Sequence, residues 1–546
     1  PDSFTGKHIQ YETSNSQYSD TLISFIMISI APNYGTYYDI QSNGSSHLLE
    51  LDPNTPSNIH ATFMYSPNSD SISSSRRTVY CFSSDYGGTW LEYGSINGNI
   101  RSGFPVMLIL SDGSALIGNH SNFGGGTERA QWFADVAPGA GTFTRLDPGI
   151  SGSFPALWPI GIQTNSISNQ TKFLFVAGNS RNRSLSLSSS SFSGYVTESG
   201  IANSFQCALA KSTSGKIGLV YIMESSVTHG RVSFIESTDD GVTWSSPVLI
   251  WDPSINNGYG AYNGIDVGYS GNTPNVVFET VKFVSNQPDI HSTAKIQFWS
   301  PNINSGIPIV LDSSNNMTGS NPQHDGYAAV CRPVIGYIGN NQVTVVAYEK
   351  ARTDTSSAGN NYFDVWYRYS VNSGNTWGIY NRITNLYGTL KDYRYVSISD
   401  KNDFYPGNQY YFNLLFQSDS VAGSNVNGLD SSLARIYFCR VRQIYFQFPG
   451  ITNINSNIPN SFLLKQNFPN PFNPKTIIDF DIPKESEVKL TVYNSQGKVI
   501  AVLVDQNLTA GSYRVDWDAE KFSSGIYFYT IRTGSFYESK KMVLIK

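Results

Sequence analysis

The chain has 546 residues, more than one ordinary domain of roughly 150, and its 40% hydrophobic and 14% aromatic content supplies a sizeable core and argues against disorder. Charged residues make up only 14% and the net charge is −5, without the basic excess that a phosphate backbone or acidic bilayer requires, so nucleic acid is excluded as a natural partner. Four cysteines, Cys81, Cys207, Cys331 and Cys439, are too sparse for a disulfide scaffold and form no zinc-type pair, so buried free thiols are expected.

Pro1 is not an initiator, and a processed chain that has lost a signal peptide is expected. The apolar run 22–31 is shorter than a membrane span, lacks a basic flank and reads as a strand. Beyond it, short alternating or apolar segments recur, such as 106–110, 172–177, 217–223, 276–284 and 343–348. Gly, Asn, Ser, Asp and Pro clusters separate them, and no long stretch has helical periodicity. The expected fold class is all-β.

One eight-residue pattern repeats. Ser83, Asp85, Gly87, Thr89 and Trp90 recur as Ser237, Asp239, Gly241, Thr243 and Trp244, and again as Ser370, Asn372, Gly374, Thr376 and Trp377. Each copy follows an apolar strand (78–82, 232–235, 363–369) and reads as a hairpin turn. Asp or Asn can bond backbone amides further along, Gly supplies positive φ, and Trp packs between sheets, so these residues rigidify a turn rather than catalyse. The third position advances by 154 and then 133 residues, consistent with three and then two units of roughly 40–65 residues. Units opening near Ile59, Phe104, Phe154, Ser204, Tyr262, Ala328 and Tyr393 give seven, with six as the alternative; strands near Ile9 or within 22–31 would close the ring. This layout places Cys81 and Cys439 on neighbouring units, where one disulfide is conceivable in an oxidising compartment.

The repeat resembles the Asp box of sialidases and many other β-propellers. The resemblance implies a six- or seven-bladed propeller, seven preferred, over residues 1–450, and says much less about activity.

A polar linker is expected over 451–461. Next come Asn467, Phe468, Pro469, Asn470, Pro471, Phe472 and Pro474; the prolines remove amide donors and enforce extended backbone, leaving two Phe rings as anchors. Strand-like runs at 476–482, 488–493, 498–504, 512–518, 525–533 and 541–545 predict a small immunoglobulin-like β-sandwich. The proline-rich opening, Tyr493 to Val499, Gly511-Ser512-Tyr513, Gly525 to Tyr529 and the Lys540–Lys546 end resemble the type A sorting domain of the type IX secretion system over 462–546. That resemblance implies passage through the periplasm and across the outer membrane of a Bacteroidota-like bacterium, with the type IX machinery as partner and the protein secreted or surface-attached.

The sialidase resemblance implies three arginines that grip a carboxylate, a Tyr nucleophile paired with Glu, and an acidic Asp. Arg101, Arg332 and Arg394 lie at the openings of expected inner strands. The stretch Arg101 to Pro105 is similar to the Arg-Ile-Pro motif, but two extra residues separate Arg from Pro and the motif falls in the second unit. Asp266, Asp325, Tyr262 and Tyr393 are the acid and nucleophile candidates by position, and no Tyr–Glu pair can be placed. His324-Asp325 is the one suggestive histidine pair, and 400–403 reads as a turn without full calcium-ligand spacing. No cofactor or metal is expected. The leading expectation is a non-enzymatic propeller that binds a glycan or surface protein. A sialidase-like exo-glycosidase and a structural subunit of an extracellular assembly are the alternatives.

Overall fold

A computed structural model of the chain describes residues 9–10, 24–37, 47–69, 72–122, 128–147, 158–164, 171–173, 181–186, 191–197, 206–224, 229–317, 327–339, 343–378, 380–384, 391–402, 404–405, 409–423, 432–444, 451–455 and 459–546 without 485, 509, 521 and 535. They form two compact units, 1–367 with 381–443, and 368–380 with 444–546. The described residues are dominated by strands, with short helical turns such as Ile72–Ser75.

Among the described residues, the first unit holds seven sheets that follow one another along the chain. The first is a meander of Leu49–Leu51, Ile59–Tyr65, Arg77–Ser83 and Leu91–Ser95. Later sheets open with Ser102–Ile109, Thr171–Phe173, Cys207–Lys211, Tyr259–Ser270, Val330–Ile338 and Asp392–Ile398. The fourth, fifth, sixth and seventh opening strands pack successively on one another; the seventh then meets Leu49–Leu51, which meets Ser102–Ile109. Ser24–Ser29 pairs with Arg435–Ile444 in the seventh sheet, and Ile9–Gln10 pairs beyond it. The chain's first strands therefore complete the last sheet of this unit, which brings the unit's two ends together.

Opening strands such as Cys207–Lys211 and Val330–Ile338 are buried on both faces, so they read as apolar runs rather than as alternation. The first is an exception to legibility: Leu49–Leu51 is too short to show a pattern, and Ile59 begins the second strand of its sheet, not the first. The expected openings at Phe154 and Ser204 lie outside the described residues. No bridge joins Cys81 to Cys439; all four thiols are free and buried, and burial pushes their pKa values up.

The second unit contains two four-stranded sheets. One orders Ile451–Asn455, Gly511–Asp518, Lys475–Ile482 and Leu463–Leu464; the other orders Val499–Leu508, Ser486–Asn494, Gly525–Arg532 and Tyr537–Leu544. Alternating side chains of both, including Ile478, Phe480, Val488, Val492 and Tyr529, share one core. The stretch expected to be a linker carries Ile451–Asn455, paired with Gly511–Asp518; strand pairing uses backbone groups and needs no apolar pattern. Phe472 is 2% exposed and packs on Trp517, whereas Phe468 is 77% exposed, so only one of the two expected anchors is an anchor. Asn467 is buried, donating to Pro469 O and Thr476 Oγ1 and fixing the bend between them.

Candidate functional site

The repeated turns are closed by their own side chains. In the first, Ser83 Oγ accepts the Gly87 N–H, while Asp85 accepts both the N–H and the hydroxyl of Thr89 at 2.8 Å. The second repeats this set at Ser237, Asp239, Gly241 and Thr243. Hydrogen bonds from Thr243 hold the Asp239 carboxyl down at about 2. In the third, Asn372 Oδ1 accepts the Thr376 N–H and its Nδ2 donates to Thr376 Oγ1, so the hydroxyl changes from donor to acceptor. Tyr86, Asp240 and Ser373 have positive φ, as do the glycines that follow them. Every acceptor is spent on its own loop, and Trp90 packs on Phe438 of the seventh sheet.

The chemistry-bearing side chains gather at the openings of the inner strands. Register slips in the second, fifth, sixth and seventh opening strands mark a shared bulge. Three non-glycine residues there, Phe104, Arg332 and Tyr395, have φ of 51°, 49° and 57°. Such backbone is costly unless its surroundings hold it. At the last two of these, buried carboxylates do so: Glu279 accepts the Arg332 N–H at 2.5 Å and the Asn263 N–H at 3.0 Å, and Glu349 accepts the N–H of Val396, next to Tyr395, at 3.0 Å. Each carboxylate thus ties its own sheet to a bulge.

Arg332 and Arg394 converge there. The Arg332 guanidinium lies 4.9 Å from the Tyr327 ring and 5.0 Å from that of Tyr395; Arg394 sits 4.2 Å from Tyr327 and 4.6 Å from Phe363. Arg394 also donates to Asp392 at 2.5 Å and to Asn361 O. Tyr327 and Glu349 are 0% exposed and Arg394 is 2% exposed. Burial, partly offset by Arg332 and backbone donors, pushes the Glu349 carboxyl up to about 7, and burial raises Asp392 to about 6 despite Arg394. Arg101 belongs to a different network: it contacts Glu128 and donates to Ser73 O, while Arg76 reaches Glu128 and His120. Burial and the two guanidiniums push His120 down to about 3.

The remaining sequence candidates disperse. Tyr262 meets Phe283 edge-on, Tyr393 packs on Phe416, and Asp325 with His324 lies outside the described residues. Asp266 is fully buried within its strand, where its carboxylate accepts the N–H groups of Val267 and Ile335.

Further along the ring is a cavity of about 220 Å³ that the sequence did not reveal. Segments 106–111, 160–163 and 207–209 line it, with His47, Glu50, Lys211, Asp400 and Lys401. His47 Nδ1 is 3.2 Å from Ile398 O and 3.3 Å from Glu50; Nε2 lies 3.5 Å from Asp400 and 3.8 Å from Asp266. Glu50 accepts the Ser399 hydroxyl. His47, Glu50 and Asp400 each offer a ligand-type atom within 4.8 Å of the others. Burial disfavours charge on His47, but Asp400, Glu50 and Asp266 outweigh it and hold its pKa well above the ordinary value. Asp400 begins the segment expected to be a plain turn. No local signal joins residues 47 and 400, which ring closure alone brings together.

Residues 466–546 match the family described as secretion system C-terminal sorting domain. This part of the chain is a type IX sorting domain, which indicates export to the exterior or the outer surface. No helix among the described residues is long and apolar enough to cross a membrane. No curated protein matches the chain. Among solved structures, a protein of unknown function from Dyadobacter fermentans is similar at 14% identity and TM-score 0.38, covering 77% of this chain and 99% of its own. An exo-β-1,3-galactanase from Phanerochaete chrysosporium is similar at 10% identity and TM-score 0.32, covering 95% and 99%. A family 25 polysaccharide lyase, an ulvan lyase, is similar at 11% identity and TM-score 0.30, covering 87% and 95%. These likenesses are too distant to transfer an activity.

Proposed function

We propose that the chain is an exported, seven-bladed Asp-box β-propeller, residues 1–450, that binds a glycan or surface protein without turning it over, followed by an immunoglobulin-like sorting sandwich at 462–546. One observation carries the reading. The groups that most resemble a sialidase set, Tyr327, Glu349 and Arg394, are sealed from solvent, and Glu349 and Arg394 are committed to strand bulges and to Asp392. A substrate could not reach them without dismantling the seam between the sixth and seventh sheets. Arg101, paired with Glu128, and Arg332, stacked on Tyr327 and Tyr395, are partly exposed at inner-strand openings, and their guanidiniums suit anionic or hydroxyl-rich ligands.

The test is a glycan array with the purified full chain, run beside reducing-end release from the glycans that bind. Retention without release is expected. Release of sugar that disappears in Glu349→Gln, with the variant still folded, would replace this reading by the exo-glycosidase one. The proximity of Tyr327, Glu349 and Arg332 is what keeps that second reading in view.

A further inference from the structure

We propose that His47, Glu50 and Asp400 bind a divalent cation of the zinc or manganese kind inside the ring, with Asp266 as a further carboxylate facing the imidazole. His47 Nδ1 is directed at the Ile398 carbonyl and the Glu50 carboxylate, so it carries a proton. Nε2 is buried and has no hydrogen-bond partner among the described residues. It nevertheless faces carboxylate oxygens of Asp400 at 3.5 Å and Asp266 at 3.8 Å. A bare Nε2 lone pair would repel those anionic oxygens unless positive charge, a proton or a metal ion, lies between them. Those separations are long for a direct N–H···O bond. They are close to the ligand–ligand edge of a tetrahedral ion, roughly 3.4 Å when each ligand lies about 2.1 Å from the metal.

The surroundings fit. A ligating imidazole typically donates its other N–H to a carbonyl or carboxylate, which is the Nδ1 arrangement here. One nitrogen and two or three carboxylates suit zinc or manganese better than calcium, which prefers all-oxygen shells of six to eight ligands. The adjoining cavity gives room for water to complete the shell. Glu50 belongs to the first sheet, Asp266 to the fifth, and Asp400 follows the seventh sheet's opening strand, so one ion would cross-link the ring where its ends meet. Lys211 and Lys401 line the same cavity and are the competing source of positive charge.

The full chain, stripped with chelator and dialysed, is titrated with Zn²⁺, Mn²⁺ and Ca²⁺ separately, reading bound metal per chain and thermal midpoint. The expected result is one equivalent of Zn²⁺ or Mn²⁺ and a midpoint raised by about 4 °C or more, with Ca²⁺ at least tenfold weaker. Both effects are lost in His47→Gln and in Asp400→Asn. The Asp400 side chain is 45% exposed, so that variant is the one expected to fold normally if the first does not. Retention of the metal equivalent by folded Asp400→Asn would overturn the site. So would a midpoint indifferent to all three metals, leaving a protonated His47 as the central charge.

Discussion

Glu349 accepts the Val396 N–H at 3.0 Å, and its second oxygen is buried without a hydrogen-bond partner among the described residues. A carboxyl in that position is half protonated near neutrality, because burial pushes it up to about 7. Its folded pKa is raised, so its stabilising contribution is complete below the unfolded value near 4.5 and is lost as pH rises through about 7. His60 and His120 have the opposite sign. Burial pushes them down to about 4 and about 3, so their contribution is present above 6.5 and lost as pH falls. Asp392 and Asp266 share the sign of Glu349, so between pH 5 and 7 three carboxyl losses oppose the gain from the two histidines, and the clean readout is the difference between the parent chain and Glu349→Gln in calorimetry at pH 5, 6, 7 and 8. Relative to Glu349→Gln, the parent should lose stability steadily from about pH 5 to about 7 and level off by 8. An unchanged slope in that variant would remove Glu349 from the account.

Gly264 tests the seam between the fifth and sixth sheets. A Cβ there would stand 2.6 Å from Pro333 Cδ and 2.7 Å from Arg332 Cα, and the second is backbone in a left-handed bulge that cannot give way cheaply. Gly264→Ala should cost about 1–3 kcal/mol in chemical denaturation, from overpacking. Gly98→Ala is the control for space, since nothing lies within 4 Å of its Cβ position. It should lose only the conformational penalty of its positive φ, on the order of 1 kcal/mol.

What the sequence made legible was whatever is local. The repeated turns could be read because Ser, Asp, Gly, Thr and Trp act within eight residues, and the sorting domain because its motif is contiguous. The bulges were half visible. Phe104-Pro105 and Arg332-Pro333 carry a shared dipeptide form, but Tyr395-Val396 does not, and the carboxylates that hold the last two bulges, Glu279 and Glu349, sit on other strands. Arg101 was grouped with Arg332 and Arg394 because all three open strands; structurally its partner is Glu128. His47 was one of seven scattered histidines, and nothing short of the closed ring sets it 3.5 Å from Asp400.

The turns should differ in what their central residue contributes. Asp239→Ala removes the acceptors of the Thr243 N–H and hydroxyl and of the Val242 N–H. Because the loop is exposed and water can replace those bonds, the expected loss is about 1 kcal/mol. In the third turn Asn372→Asp restores a carboxylate that Thr376 can satisfy by rotating its hydroxyl, so the midpoint should shift by less than half of that amount. A larger loss from Asn372→Asp than from Asp239→Ala would show that the amide donor, not the acceptor, closes that turn. Urea denaturation of both variants decides it.

Phe468 and Phe472 flank one proline-rich segment but face different surroundings. Phe472 is buried against Trp517 in the core shared by the two C-terminal sheets, so Phe472→Ala should cost about 3–5 kcal/mol within that unit. Phe468 is 77% exposed, and Phe468→Ala should change stability by no more than about 0.5 kcal/mol. The exposed ring of Phe468 is a candidate for recognition by the secretion machinery, and export is the readout that tests it. The expected outcome is that both variants reduce export of the full chain from a type IX-competent host, while only Phe472→Ala becomes sensitive to protease. Normal export of Phe468→Ala would mean that the exposed ring is not read by the secretion machinery, and a protease-sensitive Phe468→Ala would mean that its role is packing after all.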